Sequence, residues 1–164
     1  MTDTKNRQMR YYERNREKIL QQKRDARRIK REPITGNRYW LTPPDLYARL
    51  DAKYQFDFDP CPYPRPDGFN SLSESVSWGK SNYVNPPFRL VDAPFGGIAK
   101  FADRIIKESK RGNKSVVILP CPTGVGKLIA AGAKVIGAET VAFLERDTHE
   151  PAPFKHWQII LEIG

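Results

Sequence analysis

The stretch from Tyr83 to Leu119 constrains the fold of this chain more than any other. Ile98, Phe101, Ala102, Ile105 and Ile106 recur at the spacing of one apolar helical face. Gly112 stands where a C-terminal cap belongs. Short apolar runs flank this helix: Tyr83-Val84 precedes it, and Ser115 to Leu119 follows as a buried strand. Farther on, Gly124 to Ala133 reads as a helix, and Thr140 to Leu144 and Trp157 to Ile163 read as strands. Upstream, Thr42-Pro43-Pro44-Asp45 predicts a helix start, with Thr42 as N-cap and prolines in the first turn. Leu46, Tyr47, Leu50 and Tyr54 continue it at helical spacing, to an end near Lys53. Phe56-Asp57-Phe58 alternates as a short strand, and residues 62–80 read as loop. Strands alternating with helices predict an α/β domain whose mainly parallel sheet is covered by helices on both faces.

Charge divides the chain in two. Residues 1–32 carry twelve cations against five carboxylates, which is seven of the net nine positive charges of the whole sequence. From Arg10 to about Lys30 there is no Gly or Pro, and the apolar residues are too sparse for a core-facing stripe. The expectation is a basic, largely solvated helical arm over residues 1–36, ended by Pro33 and Thr35-Gly36-Asn37, before a nearly neutral domain over 37–164. A basic arm on a neutral domain points to a polyanion. Arg14, Arg16, Lys18, Lys23, Arg24, Arg27 and Arg28 are the candidates for phosphate contacts, which would position the chain without reading sequence. A solvated tail or a partner-binding helix would have the same composition.

The residues with chemistry in them lie where strands end. Asn85-Pro86-Pro87-Phe88 directly follows Tyr83-Val84, and Asp59-Pro60-Cys61 follows Phe58. In parallel sheets ligands bind beyond the carboxyl ends of the strands, and both segments are expected at that edge. Asn-Pro and Pro-Pro are also strong turn signals, so the tetrapeptide alone is equally a turn. Its alternative use is to hold a planar exocyclic amine by two acceptors and stack the ring that bears it. Cys61 and Cys121 form no disulfide framework, and nothing nearby has zinc-ligand spacing, so no metal is expected. Pro122 to Lys127 sits where a phosphate-binding loop would. It has Cys121 and Leu128 in place of the required Gly and Ser or Thr, which argues against nucleotide hydrolysis. His149 and His156 flank a Pro-rich turn and read as surface residues. No apolar run approaches the roughly 18 residues of a membrane span, and Met1 to Arg10 is polar without a signal-peptide core. With two thiols and no such segments, a reducing, cytoplasmic setting is the expectation.

Asn85-Pro86-Pro87-Phe88 resembles the fourth motif of the amino-methyltransferases that act on nucleic-acid bases. The ordered set is similar to the bacteriophage DNA N6-adenine methyltransferase family. It runs from Trp40-Leu41-Thr42-Pro43 through Phe58-Asp59-Pro60-Cys61, Trp78-Gly79 and Asn85-Pro86-Pro87-Phe88, to Val116–Pro120 and Ala152-Pro153-Phe154. That covers about residues 39–163; the basic arm lies outside it. The resemblance implies a compact Rossmann-like class I methyltransferase sheet, S-adenosylmethionine as methyl donor and double-stranded DNA as substrate, in a bacterial host cell. It implies that the Asn85 side-chain oxygen and the Pro86 carbonyl accept the two N6 hydrogens, with Pro87 stiffening the loop. Phe88 would stack a base flipped out of the duplex. Asp59, with Pro60 and Cys61, matches the position where the family's first motif approaches the donor, and Thr42 and Pro43 match a motif at its methionine end. The interval from Asp59 to Asn85 is short for the helix and strand expected there; Asp67 is the nearest acid for the ribose hydroxyls. Other readings of the same residues are a methyltransferase for an RNA base, cytosine N4 or a protein glutamine, or a non-catalytic DNA-binding protein on a degenerate methyltransferase fold.

Overall fold

The computed structural model describes residues 40–87, 97–120, 124–145, 148–152 and 156–164. The chain divides into two units, Met1–Gly36 and Asn37–Gly164, and all described residues belong to the second. The arm, with its seven candidate phosphate contacts, lies outside them, as do Phe88 and Cys121.

The helical face that dominates the sequence forms α2, Ile98–Lys110, with α1 at Pro44–Tyr54 and α3 at Val125–Ala130. Among the described residues six strands accompany them: β1 Trp40–Leu41, β2 Ser81–Val84, β3 Lys114–Pro120, β4 Lys134–Val141, β5 Leu144–Glu145 and β6 His156–Ile163. The strands β2, β3, β6 and β4 form one sheet in that order, and β1 pairs with β5 in a separate two-stranded ladder. Gly112, at φ 80°, follows the last turn of α2, and the Asn113 N–H returns to the Glu108 carbonyl at 3.1 Å. A glycine takes this left-handed conformation without a Cβ penalty.

The mainly parallel, Rossmann-like sheet is not what forms. Among the described strands only β2 and β3 pair in parallel; β6 runs antiparallel to both β3 and β4. A parallel neighbour needs a crossover connection, usually a helix, as α2 supplies between β2 and β3. Between β4 and β6 the described residues contain only β5 and the turn around Thr148–Pro151, so the last strand returns in the opposite direction. It lies between β3 and β4, and its residues Ile160, Leu161 and Ile163 are buried. Strand β4 begins at Lys134, earlier than Thr140, and β5 is separate from it. Phe56-Asp57-Phe58 forms no strand; Phe58 makes a single parallel bridge to Asn82.

Two apolar layers enclose the sheet. On one face Ile98, Phe101, Ala102 and Ile105 of α2 and Val125 and Leu128 of α3 pack on Val84, Val117, Leu119 and Leu161. On the other, Leu46, Leu50 and Tyr54 of α1 pack on Tyr83, Val116, Ile118 and Ile160. The loop between Phe58 and β2 is tied to the first layer by a buried cation. Arg104 of α2 donates to the Ser73 and Val76 carbonyls at 3.0 and 2.7 Å and pairs with Glu108 at 2.8 Å. Its guanidinium lies over the Trp78 ring, whose Nε1 donates to the Ser71 carbonyl. Fully paired, this charge is tolerable in the interior; unpaired it would not be.

Candidate active site

The segment before Asp59 is fastened to β2 by main-chain bonds. The Asp57 N–H donates to the Ser81 carbonyl at 2.9 Å, and the Tyr83 N–H donates to the Phe58 carbonyl at 3.0 Å. The Asp57 carboxylate accepts the N–H groups of Lys80 and Ser81, both at 2.9 Å. Phe58 runs parallel to β2, so Asp59 and Asn85 leave the sheet at the same edge. There they line one cavity of about 280 Å³, together with Trp40, Leu41, Thr42, Pro44, Tyr47, Cys61, Tyr63 and Tyr83.

Within this cavity Asn85 is held from two sides. Its Nδ2 donates to the Trp40 carbonyl and to the Thr42 hydroxyl, each at 3.1 Å. Thr42 in turn bonds the buried hydroxyl of Tyr83. Thr42 is therefore not the N-cap of α1: Pro43 holds that position without a side-chain cap, and the threonine hydroxyl is turned to Asn85. Asp59 is half-buried, and its Oδ1 accepts the Cys61 N–H at 2.7 Å. Burial pushes its carboxyl up to about 6, against that hydrogen bond. Burial also raises the Cys61 thiol, with the Asp59 charge adding to the effect. The Tyr83 hydroxyl is raised by burial, although its bond to Thr42 opposes the shift. Neither group is poised to lose a proton near neutral pH.

Of the residues singled out in the sequence, Thr42, Asp59, Cys61 and Asn85 meet in this cavity. Pro86 and Pro60 are buried, while Pro43 and Pro87 are half-buried; none of the four lines the cavity. Asp67 is exposed in a turn that closes at Gly68, outside the lining. Phe88 falls outside the described residues. Tyr83 is the residue that sequence reasoning missed. It lies two positions before Asn85 on an extended segment, and residues two apart point to one face. Tyr63 and Tyr47, both in the lining, carried no comparable signal.

Of the segment Pro122 to Lys127, residues 124–127 are described. Helix α3 has six residues, and Lys127 pairs with Asp103. No group of three or more His, Cys, Asp or Glu among the described residues could hold a metal ion, and no described helix is long and apolar enough to cross a membrane. No family model, curated protein or solved structure matches the chain.

Proposed function

We propose that this protein methylates the exocyclic amine of a nucleic-acid base, adenine N6 in DNA, with S-adenosylmethionine as donor. The observation that carries this reading is the state of Asn85. Both amide hydrogens are engaged, so its Oδ1 is left as an acceptor on a residue that lines the cavity. A planar amine with two N–H donors is the complementary ligand. Accepting an amine hydrogen at Asn85 would draw the nitrogen out of conjugation with its ring; Pro86 is buried outside the lining, so its carbonyl is assigned no contact. Orientation of this kind is worth on the order of 7 kcal/mol or more where both reactants are held. Prolines at 86 and 87 stiffen the chain that follows Asn85 before the substrate arrives.

The residues present fit one end of the donor. Asp59 offers a half-buried carboxylate in the same cavity for the ammonium group, beside the aromatic rings of Tyr47 and Tyr63. S-adenosylmethionine would supply an electrophilic methyl group on sulfur. Asp67 does not line the cavity, so no ribose contact is assigned to it. The basic arm would hold duplex phosphates, and Phe88 would stack the base.

Asn85→Ala should reduce methyl transfer by at least about a hundredfold, as loss of an orienting contact does, with the fold unchanged. The check is mass spectrometry of nucleosides from DNA and RNA incubated with labelled donor; near-normal activity of the variant would sink the mechanism. The small cavity and the outlying Asp67 favour a second reading, a DNA-binding protein that has lost the donor. Calorimetry with S-adenosylmethionine separates the two, because only the first requires donor binding.

A further inference from the structure

The two faces of the Asn85 carboxamide are not interchangeable. One is 3.1 Å from the Trp40 carbonyl oxygen, which can only accept a hydrogen bond. With the amide reversed, two acceptor oxygens would confront each other there, so the Trp40 carbonyl favours the Nδ2 orientation. Thr42 takes the second amide hydrogen, and its own place is set by the hydroxyl of Tyr83, a core residue of β2. The Trp40 carbonyl is anchored in turn, because Trp40 pairs with Glu145 across the β1–β5 ladder. Among the described residues nothing donates to Oδ1.

We propose that Thr42 and Tyr83 are positioning residues that, with the Trp40 carbonyl, lock the Asn85 amide so that the site takes a hydrogen-bond donor and rejects an acceptor. An amino-substituted ring meets Oδ1 with an N–H; the same ring with a carbonyl at that position meets it oxygen to oxygen. The discrimination is therefore adenine over hypoxanthine, which differ at position 6 by amine against carbonyl. The lock itself is independent of catalysis; the base preference rests on the reading that Asn85 receives the substrate amine.

The experiment uses the full chain. Exchange of the Asn85 side-chain amide protons is followed by NMR in the wild type and in Thr42→Val, Thr42→Ser and Tyr83→Phe. Binding of oligo(dA) and oligo(dI) of equal length is measured on the same samples. The expected result is slow exchange in the wild type and Thr42→Ser, and fast exchange in Thr42→Val, with Tyr83→Phe between them. The wild type should prefer oligo(dA) by about tenfold or more, as a mismatched buried polar contact implies. That ratio should fall toward one in Thr42→Val and return in Thr42→Ser. Free exchange in the wild type, or an unchanged ratio in Thr42→Val, overturns the proposal. A protein with protected amide protons and the dA preference but no methyl transfer would sink the enzymatic reading alone. One that methylates DNA while its Asn85 amide protons exchange freely would sink only the lock.

Discussion

Burial lifts the Asp59 carboxyl from an ordinary value near 3.8 to about 6, although the Cys61 N–H bond pulls it down. Between those two values the folded chain keeps a proton that the unfolded chain has released. Stability therefore falls as pH rises from 3.8 to about 6, and it stays lowered above. The size is roughly 2–3 kcal/mol at 1.36 kcal/mol per unit. Asp59→Asn keeps an acceptor for the Cys61 N–H and removes the charge. It should raise stability at pH 7 by up to that amount and leave it unchanged at pH 3, below both values, which urea unfolding at the two pH values would test. The partnership of Asp59 with Asn85 was legible in the sequence, because both follow apolar runs and such ends collect at one sheet edge. The Trp40 carbonyl and the Thr42 hydroxyl were not. Their bonds to Asn85 span more than forty positions, and helix-capping statistics favoured a local partner for Thr42.

A chain segment too short to be a strand is what places Asp59, and Gly79 lets it approach. A Cβ at Gly79 would lie 2.0 Å from Asp57 Oδ1 and 2.9 Å from the Phe58 Cβ. Asp57 cannot yield, because its carboxylate is held by the Lys80 and Ser81 N–H groups. Gly79→Ala should therefore destabilise the domain by about 1–3 kcal/mol, the usual range for overpacking. It should also weaken any ligand of the cavity, since Asp59 would shift with Phe58. Chemical denaturation together with donor calorimetry measures both effects; a variant as stable as the wild type would refute the clamp. At this scale the sequence was uneven. The apolar face of α2 and the run in β3 announced themselves through periodicity and continuous hydrophobicity. Half of β4 is exposed; it lies at an edge and carries Gly137 and Glu139, so neither alternation nor apolar content marked it. The direction of β6 depends on a connection without a helix, and that is a property of the path between strands rather than of the strand.

On the scale of the whole molecule, charge and chemistry are assigned to different parts of the chain. If the arm grips duplex phosphates, removing residues 1–36 should weaken DNA binding and flatten its salt dependence. The slope would change by up to roughly 6 if all seven named cations are engaged. Titrations of full-length and shortened protein at several salt concentrations decide this, and an equal slope would refute the arm's role. The asymmetry was plain from the sequence because charge needs no fold to be counted. The sheet order was not, and it has a consequence in time. Strand β6 is the last of its sheet to be synthesised, yet it occupies an inner lane between β3 and β4. Until His156–Ile163 leaves the ribosome, β3 has an open edge and β4 has no neighbour in its sheet. Any docking of β4 onto this sheet therefore has to follow the synthesis of His156–Ile163.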